Sequence, residues 1–368
     1  MIWPKPFGFG ARSSALRIWS RAIQEQHNVL HRRVSTKAAA ALARAANTKK
    51  PVPAAAAIAL QSSQLDLGKT DPPNVSPKLS PVSVPGRAGI AIQTFFVDTP
   101  AGVSEVADRL RAQGPGSELY ADIEGQRLSR HGAISLIVIY SPSARQAFVL
   151  DISILKRAAF KTKGSRGLNI QQILQSNAYR KIFFDVRNDA DALFHQFGVA
   201  LQRVEGLQLI ESAARPDNDP SRNRSRGLAK CLETVLSSVE KKEWAKSKKA
   251  GHALFDPKSG GSYAVFEKRP LSPEILAYCV GDVFYLPRLR EKHWDKLSKS
   301  SRKRVMRESK ARVLESQQQD FKANSPKTSK RLRQRDKHCA MEIEFGGLSV
   351  EWWDELDDIL AWENRHLH

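Results

Sequence analysis

Between residues 90 and 297 the chain alternates between short apolar runs and stretches of helical periodicity. "IAIQTFFVDT" has strand character, and "TPAGVSEVADRLRA" follows as a helix, with Thr99 as N-cap and Pro100 in its first turn. Three strand-like runs come next: "ELYADIEG", "AISLIVIYS" and "QAFVLDIS". The link Ser-Pro-Ser-Ala-Arg between the second and third is short enough for an antiparallel hairpin. The pattern then changes to helix "LNIQQILQSN", strand "KIFFDV", and helix "DADALFHQFG" closed by Gly198. "RVEGLQLIESAAR" reads as a strand running into a helix, and "GLAKCLETVLSSV" as another helix. "SPEILAYCVGDVFYLPRLREKHWDKL" closes the region, with Ser272 as N-cap and Pro273 in the first turn. A three-strand antiparallel meander followed by β–α alternation predicts an α/β fold, a mixed sheet with added parallel strands, flanked by helices. No internal repeat is visible.

Charge divides the rest. The 368 residues carry a formal net charge of +21, unevenly placed. Residues 1–35 form a basic, Arg- and Ser-rich leader in which Leu16, Trp19, Ile23 and Leu30 share a helical face, the composition of a mitochondrial presequence or of a disordered leader. A presequence would send the chain to mitochondria; without one, the nucleus or cytoplasm is the expectation. Residues 36–88 are Ala- and Pro-rich and read as a linker. After the 89–297 domain come a basic, partly disordered extension (298–340) and an acidic tail (341–368), which could fold back on the basic block or bind a protein partner. Clustered positive charge suits a polyphosphate partner, or else solvated tails. Cys231, Cys279 and Cys339 lie far apart, which excludes a disulfide framework and a zinc-type cluster. No apolar run reaches membrane-spanning length, so a soluble protein without membrane contact is expected.

Against this positive background stand three acidic elements. In "YADIEG", Asp122 and Glu124 share one face of a strand, about 6.6 Å apart along it. Burying two like charges that close is costly unless a cation neutralises them. In "KIFFDVRNDADALFHQFG", Asp189 sits at a helix opening, where it could simply cap the helix; Asp185 and Asp191 are rivals for any metal role. In "AYCVGDVFYL", Tyr278 and Asp282 are four apart and therefore neighbours on one helix face, where a structural Tyr–Asp hydrogen bond would serve equally.

As a set, in this order and on these element types, "DIE", "RNDADALFHQFGV" and "YCVGD" resemble the three motifs of the DEDD superfamily of 3′–5′ exonucleases, which share a ribonuclease H-like fold. Tyr278 before Asp282 resembles the DEDDy branch, that of ribonuclease D and the Werner-syndrome exonuclease. "LSRHGAISLIVIY" and "VFEKRPLSPEILAYCVGDVFYLPRL" resemble further stretches of these proteins, Egalitarian-like and fungal ones above all. The family's register relative to "FGV" favours Asp189 over Asp191. One departure is Gly206 in "EGLQL", where relatives often carry Asp.

The resemblance implies two divalent cations, Mg or Mn, on Asp122, Glu124, Asp189 and Asp282, with Tyr278 orienting the attacking water. It implies hydrolysis from the 3′ end of RNA or DNA, single-stranded ends being the expected substrate. The basic segment from Arg288 onward, with Lys268 and Arg269, would then contact phosphates. Two rivals remain: an adaptor that keeps the fold and binds nucleic acid without cleaving it, and a ribonuclease H-like endonuclease, which would lack the late Tyr-x-x-x-Asp.

Overall fold

The computed structural model describes residues 79–84 and 92–322, apart from 217, 222 and 223. The leader, most of the linker and the acidic tail lie outside the described residues. Seven strands form one mixed sheet in the order β1-β2-β5-β4-β3-β6-β7. They are β1 (Pro81–Val82), β2 (Gln93–Val97), β3 (Glu118–Glu124), β4 (Leu136–Ser141), β5 (Gln146–Asp151), β6 (Arg180–Phe183) and β7 (Val204–Gly206). β3, β4 and β5 pair antiparallel, as the meander predicts, while β2 joins β5, and β6 and β7 extend from β3, in parallel. The stretch read as linker contributes the edge strand β1, paired antiparallel to β2. Pro81 is tolerated there because an edge position does not need its missing N–H.

Helix α1 (Pro100–Ala112) starts as predicted: Thr99 Oγ1 accepts from the Gly102 amide at 3.2 Å. Short helices α2 (Ile152–Leu155), α3 (Ala158–Lys161) and α4 (Ile170–Gln175) lead to β6. α5 (Arg187–Phe197) ends at Gly198, whose φ of 69° is the left-handed conformation that glycine supplies. β7 runs directly into α6 (Leu207–Ala213).

The next two expected helices each divide. α7 covers only Leu228–Leu232, because Ser237 and Glu240 form a capping box that starts a new helix, α8 (Ser238–Phe255). The closing stretch splits into α9 (Pro273–Phe284) and α10 (Leu286–Trp294). Pro287 fits the first turn of α10 but would clash inside a continuous helix. α11 (Lys299–Ser316) then packs on β7, α5 and α6.

Alternation along β3 divides the core. Leu119, Ala121 and Ile123 belong to the apolar layer with Val106, Leu110, Phe160 and Leu193. Tyr120 belongs to the opposite layer, with Val138, Ile182, Val280 and Val283. Residues at even positions share that second face, so Asp122 and Glu124 point to the side covered by α9.

Basic residues here are not all surface. Arg290 donates to Glu205 at 2.8 Å and lies 2.9 Å from Glu118. Arg269, expected on phosphates, is instead paired with fully buried Asp151.

Candidate active site

Asp122 and Glu124 occupy the last turn of pleat on β3, between β4 and β6. The chain can leave this strand only as glycine. A Cβ on Gly125 would lie 1.9 Å from the Ala133 carbonyl oxygen of the returning arm. Across the sheet face runs α9, begun by Ser272, whose Oγ accepts from the Ile275 amide at 3.3 Å. That helix places Asp282 beside the strand pair. Carboxylate oxygens of Asp122, Glu124 and Asp282 lie within 4.8 Å of one another.

Asp189 approaches from α5. It is not a cap, since the helix begins at Val186 without a side-chain cap. Its side chain is 5% exposed, and Oδ1 is buried with no hydrogen-bond partner. Burial, then the Asp122 charge, then Asp185 push its pKa well up. Glu124 is raised well above its ordinary value by burial first and by Asp122 and Asp282 next. Burial and then Asp282 raise Asp122 to about 7. The four acids thus occupy one electrostatic neighbourhood. Asp185 and Asp191 do not join it as free ligands. Asp185 is held by Arg187, with Nε–Oδ1 at 2.9 Å, and its pKa is lowered despite burial. Asp191 accepts from Arg130 twice, from the backbone amide and from Nε, both at 2.7 Å.

One cation inside the site escaped sequence reasoning. Lys248 of α8 is paired with Asp282, and its Nζ lies 3.9 Å from the centre of the Tyr278 ring. α8 comes this close because Gly251 faces Tyr278; a Cβ there would sit 2.5 Å from Tyr278 Cβ. Phe255 completes the contact, edge-on to Tyr278 at 5.1 Å. The only signal was indirect: Lys248, Gly251 and Phe255 fall on one helical stripe, in a segment with no apolar periodicity to mark it as helix.

The carboxylates crowd one another, and burial together with their mutual charge raises Asp122, Glu124 and Asp189. An all-oxygen donor set with an orphaned buried oxygen on Asp189 fits a hard divalent cation. Among the described residues, Asp122, Glu124 and Asp282 are the one metal-compatible group of three or more acidic, His or Cys side chains.

Residues 94–298, more than half of the chain, match the family model described as 3′–5′ exonuclease. The chain belongs to the 3′–5′ exonuclease family. It is a hydrolase of the DEDD type, and its sheet is that of the ribonuclease H-like fold. Exonucleases of this family use divalent metal ions, with which the carboxylate group is compatible. Among solved structures, that of Trypanosoma brucei RNase D in complex with RNA U12 is 24% identical, with a TM-score of 0.50, covering 62% of this chain and 72% of that one. The T. brucei RNase D–GMP complex is 22% identical, with a TM-score of 0.52, over 65% of this chain and 69% of that one. These likenesses concern the fold. No curated protein matches the chain.

Proposed function

We propose that this exonuclease removes nucleotides from single-stranded 3′ ends with two divalent cations, Mg²⁺ or Mn²⁺, held by Asp122, Glu124, Asp189 and Asp282. The convergence of Asp122, Glu124 and Asp282 within 4.8 Å carries the reading. Bound there, the cations would supply the charge that activates water and steadies the attacking and leaving oxygens of an in-line displacement. The strand pair presents its acids at a spacing fixed by β3, and Lys248 fixes the rotamer of Asp282. Tyr278 acts as an orienting hydroxyl. Burial, followed by the charges of Glu124, Asp282 and Asp122, raises its pKa, so it stays protonated at neutral pH and does not serve as a base. RNA is the first substrate to test, a choice supported by the RNA-bound T. brucei RNase D structure.

The decisive experiment follows 3′- and 5′-labelled RNA and DNA with Mg²⁺, Mn²⁺ or EDTA, using the full chain and an Asp122→Asn/Glu124→Gln variant. Metal-dependent shortening from the 3′ end, absent from the variant, is the expected result. Binding without cleavage under every condition would establish the adaptor instead. Cleavage surviving in the variant would place the site elsewhere.

A further inference from the structure

The family match ends at residue 298, but the chain continues through α11 and then from Gln317 to Lys322. One side chain from elsewhere in the fold reaches three of its carbonyls. Arg130, in the loop between β3 and β4, donates from Nη2 to the carbonyls of Ser316 at 3.0 Å and Gln318 at 2.7 Å. Its Nη1 donates to Gln319 O at 3.1 Å. Ser316 lies in the last turn of α11, whose carbonyls lack intrahelical partners and form the negative end of its dipole, so a guanidinium suits it twice over. From the other side, Asp191 of α5 fixes the same side chain.

The loop carrying Arg130 is itself tied to α5 and closed tightly on itself. Gln196 of α5 donates to Ser129 O at 2.8 Å and accepts from the Ile134 amide at 3.3 Å. A Cβ on Gly132 would meet the Arg127 carbonyl oxygen at 2.1 Å, so the turn closes on itself. The latch therefore joins the β3–β4 loop to the end of α11, and the chain leaving α11 reaches the space beside the site.

There it meets a cavity of about 610 Å³, lined by Glu124 and Asn188 at the acidic cluster, by Arg127 and Tyr263, and by Phe321 and Lys322. Ligand pockets span roughly 300–1,000 Å³. Beside apolar Ile123 and Leu128, its lining includes the rings of Tyr263 and Phe321 and the exposed Arg127 and Lys322, while Arg130 and Asp191 neutralise each other. Aromatic faces interleaved with cations are what a single nucleic-acid strand requires: bases stack on the rings and the backbone follows the charge.

We propose that Gln317–Lys322, latched by Arg130, forms one wall of the nucleic-acid groove, with Phe321 stacking on a base next to the cleaved end and Lys322 contacting a phosphate. The proposal rests on the reading of the acidic cluster as the hydrolytic site. It makes part of the C-terminal extension a component of substrate binding.

The test measures Kd of the full chain for fluorescent single-stranded RNA and DNA in EDTA, where hydrolysis does not intervene, at several salt concentrations. Phe321→Ala should weaken binding about tenfold with an unchanged salt slope. Lys322→Ala should lower the slope by about one. Arg130→Gln, with Phe321 and Lys322 intact, should reproduce the weakening, its folding checked by thermal unfolding. With Mg²⁺, Phe321→Ala should raise KM far more than it lowers kcat. A Phe321→Ala chain that binds as tightly as the unaltered protein overturns the proposal. So does a loss confined to Lys322→Ala, which would make the wall a matter of charge alone. Should the unaltered chain bind strands yet cleave none, the hydrolytic reading fails while the Kd comparison still decides this one.

Discussion

Asp189 and Asp191 stand two residues apart on α5, both buried, and their surroundings could hardly differ more. Asp191 faces the β3–β4 loop, where Arg130 grips both its oxygens. Asp189, turned away by roughly 200° of helix, faces other acids and keeps an oxygen without a partner. The same contrast runs through the molecule. Glu205 and Glu211 are buried against arginines, Arg290 and Arg215 respectively. The cluster of Asp122, Glu124 and Asp282 crowds three carboxylates together, with Lys248 paired to Asp282. Paired acids build the fold; crowded ones are reserved for a cation that the chain does not itself supply.

Four measurements test that division. The largest effect is expected from Asp122→Asn: a fall in nucleolytic kcat of about a thousandfold, accompanied by a higher melting temperature in EDTA because one repelling charge is gone. A lower melting temperature would mean that Asp122 is paired by something other than metal. Second, Asp191→Ala should destabilise the protein by about 3 kcal/mol in urea titration, since it leaves a mostly buried guanidinium without its carboxylate. Asp189→Asn should cost little or nothing in the same assay without metal. Equal losses at the two positions would erase the contrast.

The third concerns pH. Burial and Asp282 raise Asp122 from 3.8 to about 7 in the folded protein. Across that window the folded state holds more protons than the unfolded state, so this contribution to stability is present at low pH and is lost as pH rises through the folded value. In EDTA the protein should resist urea better at about pH 5 than at about pH 8, and saturating Mg²⁺ should flatten the slope. A metal-free profile that climbs toward pH 8 would contradict the assignment. The smallest effect belongs to Lys248→Met. Removing the ammonium from Asp282 should lower the Mn²⁺ concentration needed for half-saturation, read by calorimetry, by about fivefold, in keeping with a partly exposed pair. An unchanged midpoint would show that lysine and metal do not compete.

How much of this was legible beforehand varied with the kind of signal. Period-two alternation in "YADIEG" put both acids on one face, and β3 indeed carries them opposite Leu119 and Ile123. Capping chemistry set the starts of α1 and α9 correctly. The choice of Asp189 over Asp191 came from a family register. Composition could not have made it, because only the three-dimensional placement of Arg130 separates the two. α8 was invisible because only Gly251 and Phe255 along it are buried, leaving no apolar stripe. α11 was hard to read for a related reason. Its inner face includes Ser309, Arg312 and Ser316 beside Val305 and Val313, so a buried side reads as polar sequence. Arg312, counted among the phosphate-binding charges, instead donates to Gln208 at 3.2 Å in the interior.

Gly206, where relatives often carry Asp, opens α6 without any side-chain cap. Its amide donates instead to Ser309 Oγ at 3.0 Å, and that hydroxyl in turn donates a hydrogen bond to Val305 O at 2.8 Å. The partner comes from a helix 103 residues further along the chain. On a ribosome, then, β7 and α6 emerge long before the group that completes them. The nascent enzyme must wait, with its last parallel strand unfinished, until α11 has been translated and folds back. A nuclease assembled in that order gains its full architecture only after α11 has joined the sheet.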